Sequence, residues 1–291
     1  MTMKRSTRDE MVVVTVAKEL VDGDRVFVGQ GIAIVAAALA KVFYKREVLL
    51  LTEAGIVDFT PFRAPLHIAD PTCTRGYAYN CDMVDIFSTI LGGGYATVCF
   101  LGVAQVDRYG NVNSTCIGDY YHPTLRLMGA GGAPELLAYL PKTILTMRGG
   151  KFVEKLDYTT SPGHLEGGDS RVKAGLPANG GPQVLISAKG IFRFDRETKE
   201  MYLDALFPGA TVEEVKAEVP WELKVAPELR PVELPTTEEI DFIRDFDPTI
   251  AMGRRMSFDL FAMAMKNFLS RGAAKPAAAE AAPGSGEEAK A

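Results

Sequence analysis

The chain has 291 residues, 47% of them hydrophobic, and a formal net charge of −5. That is enough for a sizeable core in one large α/β unit or two smaller ones, and too acidic for a general polyanion binder, so no nucleic-acid partner is expected. Cys73, Cys81, Cys99 and Cys116 form no CxxC pair, only three histidines are present, and neither a signal-peptide core nor a membrane-length apolar run occurs. These features argue against a disulfide framework, a structural zinc and a membrane span, and the expectation is a cytoplasmic chain with reduced thiols.

Residues 8–20 have helical apolar spacing, and Asp22-Gly23-Asp24 ends the run. A short strand, Arg25-Val26-Phe27-Val28, then enters Gly29-Gln30-Gly31, followed by an alanine-rich helix from about Ile34 to Tyr44. Next comes Val48-Leu49-Leu50-Leu51, apolar without alternation, which reads as a strand covered on both faces. The unit is βαβ, with a right-handed crossover. The Gly29 turn reads equally as an anion-binding helix start or as a tight turn with no ligand, and it lacks the third glycine of a dinucleotide fingerprint.

The buried strand stops at Thr52-Glu53-Ala54-Gly55. Ligands of open α/β sheets bind at the carboxyl ends of the strands, so Glu53 is a candidate nucleophile or base, with Gly55 allowing close approach. Taken alone, Glu53 is also an ordinary solvated turn glutamate.

A second group of strands begins at Ala96–Leu101, and Asp107–Asn111 reads as a turn within Gln105–Ser114. Thr143–Met147 and Gln183–Ser187 are further apolar strands. Ile191–Phe194 alternates and ends at Asp195–Lys199, which fits a hairpin on the outside of the sheet. Residues 156–181 read as a long ordered loop.

The loop Met128-Gly129-Ala130-Gly131-Gly132-Ala133-Pro134 precedes a helix that can start at Pro134. Its free N–H groups suit an oxyanion hole, and its small residues suit close packing equally well. His122 and His164 read as hydrogen-bonded structural residues, and the cysteines as buried small ones. Arg63, Arg75, Arg126 and Arg171 can each hold a distal carboxylate or serve as ordinary surface or ion-pair residues. Residues 256–272 form a helical extension with an apolar stripe, and 273–291 have the composition of a disordered tail.

Five stretches in order, Thr52–Gly55, Ala104–Ser114, Ile117–Pro123, Gly129–Ala133 and Asp157–Gly163, resemble the family I CoA-transferases. The resemblance runs from about Arg8 to Gly253 and is closest to the B-type subunits of the glutaconate branch. It implies an open, mostly parallel α/β sheet flanked by helices over residues 1–255, and a catalytic glutamate at Glu53. It also implies that Gly131, Gly132 and Ala133 lie against the acyl-CoA and supply donors. Gly29, Gln30 and Gly31, with Gln105 inside the second motif, are the substrate-binding candidates. Thr52 and Ala54 stand where relatives carry other small or polar residues.

The implied reaction moves CoA between an acyl-CoA and a carboxylic acid such as glutaconate, through glutamyl anhydride and glutamyl-CoA intermediates. It needs no metal or organic cofactor, since coenzyme A is a substrate. A separate A-type subunit is the implied partner. Hydrolysis, decarboxylation or ring opening of an acyl-CoA on the same scaffold is the alternative, and a ligand-sensing module without catalysis is a third reading.

Overall fold

A computed structural model describes residues 6–250. The expected boundaries at 255 and 272, the apolar stripe of 256–269 and the tail from 273 lie outside the described residues. In chain order the elements are α1 (Arg8–Lys18), β1 (Arg25–Phe27), α2 (Ile32–Ala38), β2 (Leu49–Leu51), β3 (Ile56–Val57), β4 (Tyr79–Asn80), α3 (Met83–Asp85), β5 (Val98–Gly102), β6 (Gln105–Val106), β7 (Val112–Asn113) and β8 (Cys116–Gly118). They continue as β9 (Pro123–Arg126), α4 (Ala133–Tyr139), β10 (Lys142–Met147), β11 (Lys151–Phe152), α5 (Ser170–Lys173), β12 (Pro182–Ser187), β13 (Gly190–Phe194), β14 (Met201–Leu206), α6 (Val212–Glu218), β15 (Lys224–Pro231) and α7 (Thr237–Phe246).

The main sheet has ten strands in the order β15-β14-β13-β12-β10-β5-β1-β2-β3-β4. Its central block, β12-β10-β5-β1-β2, is parallel throughout. Antiparallel pairs extend it on both sides. Small sheets β11-β6-β7 and β8-β9 accompany it. The fold is thus the open, mostly parallel α/β sheet that the sequence implied.

The unbroken apolar runs are explained by cover on both faces. Along β10 and β12, Ile144, Val184 and Ile186 join the core beneath α1 and α2, while Leu145 and Leu185 join the opposite core with Phe192 and Trp221. Along β2, Leu50 faces the first core and Leu51 faces a third cluster with Phe27, Cys99 and Leu136. Burying each such side chain contributes about 1.5–3 kcal/mol.

Helix α1 is closed by a Thr7–Glu10 capping box. Glu10 is fully buried, and the Arg244 guanidinium of α7 donates to it at 2.7 Å. Burial pushes the Glu10 carboxyl up, but the Arg244 and Thr7 bonds outweigh this and hold it below its usual value. The alanine-rich helix starts at Ile32, two residues earlier than its pattern indicated, and beyond Ala38 it widens into a π-helical turn, Leu39–Phe43. Every residue from Ile32 to Ala40 is buried, which is why this helix uses small side chains.

Gly110 adopts φ +69° in the expected Asp107–Asn111 turn, where Asp107 accepts the N–H groups of Tyr109 and Asn111. The β13–β14 hairpin turns at residues 195–199, as its pattern indicates. It is not the outermost layer, however, because β15 pairs with β14 and takes the edge. The 156–181 segment is ordered by Asn111, which accepts the Gly163 and Leu165 N–H groups, and by Arg171.

Candidate active site at the carboxyl edge of the sheet

Because the central block is parallel, the segments leaving β1, β2 and β5 emerge at one edge. Phe27 pairs with both Leu51 and Cys99, so β1 and β2 end level, while β5 runs on to Gly102. From this edge leave Glu53 after β2, Gly29-Gln30-Gly31 after β1, and the Val103–Gln105 segment after β5. Helix α4 leads into the opposite end of β10 across a two-residue connection, so its first turn, with Gly131, Gly132 and Ala133, points back to the same edge. Packing ties it there. A Cβ on Gly132 would stand 2.4 Å from the Phe87 ring, and Phe87 packs on Phe27 with centroids 5.8 Å apart.

Glu53 occupies the turn between β2 and β3. Buried Thr52 donates its N–H to the Ile56 carbonyl at 3.0 Å, accepts the Gly55 N–H on its own carbonyl at 3.0 Å, and accepts the Ile56 N–H on its hydroxyl at 3.4 Å. Gly55 has φ +90°, and a Cβ there would lie 1.8 Å from the Cys81 carbonyl oxygen. The Cys81 N–H in turn donates to the Gly55 carbonyl at 3.0 Å. The close approach at Gly55 is therefore made by the chain itself, at the end of β4, and not by an outside molecule. The Glu53 side chain is half-buried, and its carboxylate accepts no hydrogen bond and makes no ion pair with any described residue. It is held by its backbone and free at its oxygens.

The glycine loop is equally specific. The Ala133 N–H donates to the Ala130 carbonyl at 3.1 Å, whereas those of Gly131 and Gly132 donate to no described residue. Gly131 is exposed with φ +51° and nothing near its Cβ position, while Gly132 is buried against Phe87. At the β1 exit, Gly31 takes φ +88°, Gly29 is half-buried, and exposed Gln30 donates to the Leu66 carbonyl at 3.2 Å. Gln105 is buried. Its amide oxygen accepts from Asn113 and from the Asp157 N–H, and its amide nitrogen donates to the Asp157 carboxylate. Asp157 also accepts the Gly118 N–H, and these bonds hold its carboxyl below its usual value. Gln105 thus joins β6 to the β8–β9 hairpin.

The arginines separate clearly. Buried Arg171 donates to the carbonyls of Pro162, Gly163, Pro177 and Ala138, so it braces the long loop. Arg126 lies over the Tyr120 ring and donates to the Tyr120 carbonyl. Arg63 and Arg75 both stand over Phe62. Exposed His122 donates its backbone N–H to Asp119, and buried His164 donates from Nε2 to the Pro182 carbonyl. Burial pulls the His164 imidazole down to about 4, so it is neutral at pH 7.

The thiols of Cys73, Cys81 and Cys99 are poor nucleophiles. Burial pushes Cys73 up to about 11 and Cys99 up to about 12, and Cys81 is raised by burial, Asp85 and Asp82. Among the described residues no group of three or more His, Cys, Asp or Glu could hold a metal ion. No described helix is long and apolar enough to cross a membrane. Two surface cavities of about 730 and 440 Å³ lie around Arg8 and Lys189, and neither is lined by Glu53 or by the glycine loops.

Sequence reasoning missed Thr52 and Cys81 as the residues that hold the Glu53 turn. A hydroxyl directly before the acid was a usable signal for the first. Nothing local pointed to the second, 26 residues away.

The family model for Coenzyme A transferase matches residues 9–218. The chain is 37% identical to the B-type subunit of glutaconate CoA-transferase from Acidaminococcus fermentans over 252 residues, covering 83% of this chain and 93% of that one. It is 36% identical to the B-type subunit of 3-oxoadipate CoA-transferase from Pseudomonas knackmussii, covering 86% and 96% respectively. It is 27% identical to the IpdB component of the cholesterol ring-cleaving hydrolase from Mycobacterium tuberculosis, covering 82% and 94%. Among solved structures, that of the Acidaminococcus fermentans glutaconate CoA-transferase superposes with a TM-score of 0.79 at 35% identity, covering 84% of this chain and 96% of that chain.

Proposed function

This chain belongs to the coenzyme A transferase family, and from that premise we propose that it is the glutamate-bearing B-type subunit of a heteromeric enzyme that moves CoA between an acyl-CoA and a dicarboxylic acid. The observation that carries this reading is the Glu53 carboxylate, unpartnered at the sheet's carboxyl edge on a turn whose backbone is bonded on both sides. A nucleophilic carboxylate needs free oxygens and a fixed origin. The dicarboxylate class is supported by two relatives whose names specify glutaconate and 3-oxoadipate, each an acid with two carboxyl groups.

A Glu53 oxygen attacks the thioester carbonyl of the donor, and collapse of the tetrahedral adduct breaks the C–S bond, leaving a mixed anhydride and CoA thiolate. The thiolate attacks the glutamyl carbonyl, releases the donor acid as its carboxylate, and forms a glutamyl-CoA thioester. The acceptor carboxylate then reverses the sequence. Each tetrahedral oxyanion needs fixed donors, and the uncommitted N–H groups of Gly131 and Gly132 are suited to this. Ala133, whose N–H is bonded to Ala130, contributes its place in the first turn of α4 instead. Gly29, Gln30 and Gly31 flank Glu53 on the neighbouring strand and are suited to contact the substrate, with Gln105 bracing the wall beside them. An A-type chain completes the site, a reading supported by the B-type designation of the relatives and by a Glu53 edge that this chain leaves open. The four free thiols support a reducing, cytoplasmic setting.

The test is to incubate the co-expressed A–B complex with acyl-CoA, trap it with hydroxylamine or borohydride, and map the modified peptide by mass. Modification at Glu53 is the expected result, and Glu53→Gln abolishes both it and turnover. The IpdB relative makes hydrolysis the competing reading. A CoA release that proceeds equally well without an acceptor acid would establish it.

A further inference from the structure

The hydroxyl of Thr52 has no part in the carboxylate chemistry above, yet it is fixed inside the turn that carries Glu53. Thr52 is 1% exposed and Ile56 is 6% exposed, so neither can exchange its bonds for water. The Thr52 carbonyl is already taken by the Gly55 N–H, and the Thr52 N–H by the Ile56 carbonyl. The Ile56 N–H therefore has one acceptor, the Thr52 hydroxyl. Both backbone groups of Ile56 are bound to Thr52, one through its main chain and one through its side chain. Glu53-Ala54-Gly55 is the loop that these two bonds close. A β-branched side chain packed on all sides keeps one χ1, so the hydroxyl does not swing.

We propose that Thr52 is a positioning residue for the transfer reaction: by holding the Ile56 N–H through its hydroxyl, it sets the direction in which the Glu53 side chain leaves the turn and hence its line of attack on the thioester. This rests on Glu53 being the nucleophile. Removing the hydroxyl leaves a buried donor unpaired, which the turn relieves by rotating the Thr52–Ile56 peptides, and Glu53 lies between them. Substrate binding elsewhere is untouched, so the loss falls on turnover.

The experiment compares wild type, Thr52→Val and Thr52→Ser in the co-expressed A–B complex, each checked for assembly by size exclusion. Valine keeps the β-branched shape without the hydroxyl, and serine keeps the hydroxyl without the methyl. The expected result for Thr52→Val is a kcat lowered about tenfold or more, with the KM for acyl-CoA within about twofold and the Glu53 adduct forming correspondingly more slowly. Thr52→Ser restores kcat to within about threefold of wild type. The proposal is overturned if Thr52→Val turns over like wild type, or if serine fails to restore a loss seen in a fully assembled complex. A wild-type complex that forms its adduct elsewhere overturns the Glu53 reading itself, whereas a Glu53 adduct formed at equal rates in all three variants overturns only the role of Thr52.

Discussion

Replacing Gly55 by alanine tests whether the geometry of the Glu53 turn matters to catalysis. A Cβ at this position would stand 1.8 Å from the Cys81 carbonyl oxygen, 2.7 Å from its carbon and 3.4 Å from its nitrogen. All three are backbone atoms, so no side chain can rotate away. To reach an ordinary contact the two segments must separate by about 1 Å or more, and a misplacement of that size can cost about 10²-fold in rate. The φ of +90° adds about 1–2 kcal/mol of strain for any residue with a side chain, and weakening the Cys81 N–H bond to the Gly55 carbonyl adds about 1 kcal/mol. Gly55→Ala should therefore lose about 2–3 kcal/mol of stability, or about 3–6 °C in Tm at this size, and about 100-fold in kcat. The assays are urea unfolding of the chain and steady-state transfer by the A–B complex. An alanine variant within threefold of wild-type kcat would show that the turn does not need its close contact with Cys81 to present Glu53.

Gly132→Ala drives a methyl into the Phe87 ring, while Gly131→Ala meets no neighbour and carries only the strain of its φ of +51°, so the first should impair turnover more than the second. Because the obstacle is a side chain, Phe87→Leu should partly rescue Gly132→Ala, and a double-mutant cycle showing simple additivity would refute the packing account. Glu53→Asp should assemble normally but turn over at least about 100-fold more slowly, since the shorter side chain withdraws the nucleophile from attack distance, and wild-type rates would remove Glu53 as nucleophile. Purified without an A-type partner, the chain should show no CoA exchange, and robust turnover by the lone chain would contradict the shared site. His164 titrates near 6.5 when unfolded and about 4 when folded, so the unfolded state binds the extra proton between those values. Stability from this group is complete above pH 6.5 and declines as pH falls to about 4, by about 3 kcal/mol in all, and His164→Gln should flatten urea-unfolding stability across that window.

Much of this architecture is legible locally, because a chain's own periodicity reports which faces of an element are covered. The unalternating Leu49–Leu51 run announced a strand buried on both sides, and an acid two residues after it announced a carboxylate at the sheet's carboxyl edge. The Asp107–Asn111 turn and the extent of α1 were written in the same short-range terms. What could not be read was every choice that depends on a distant segment. Gly131 and Gly132 are adjacent and identical in sequence, yet one is open and the other is filled by the Phe87 ring. Gly55 looked like room for a ligand and proved to be room for Cys81. Arg171 and Gln105 looked available, and buried bonds to Ala138 and Asp157 engage them. An edge strand could not be distinguished from an inner one at β13 and β14, because β15 joins the sheet only after α6 has crossed back. Pattern within a strand or helix is set by the hydrophobic effect acting on neighbouring positions. The partner that occupies a glycine's empty side, or that satisfies a buried donor, is selected only when segments far apart in the chain pack together, and tertiary structure alone decides it.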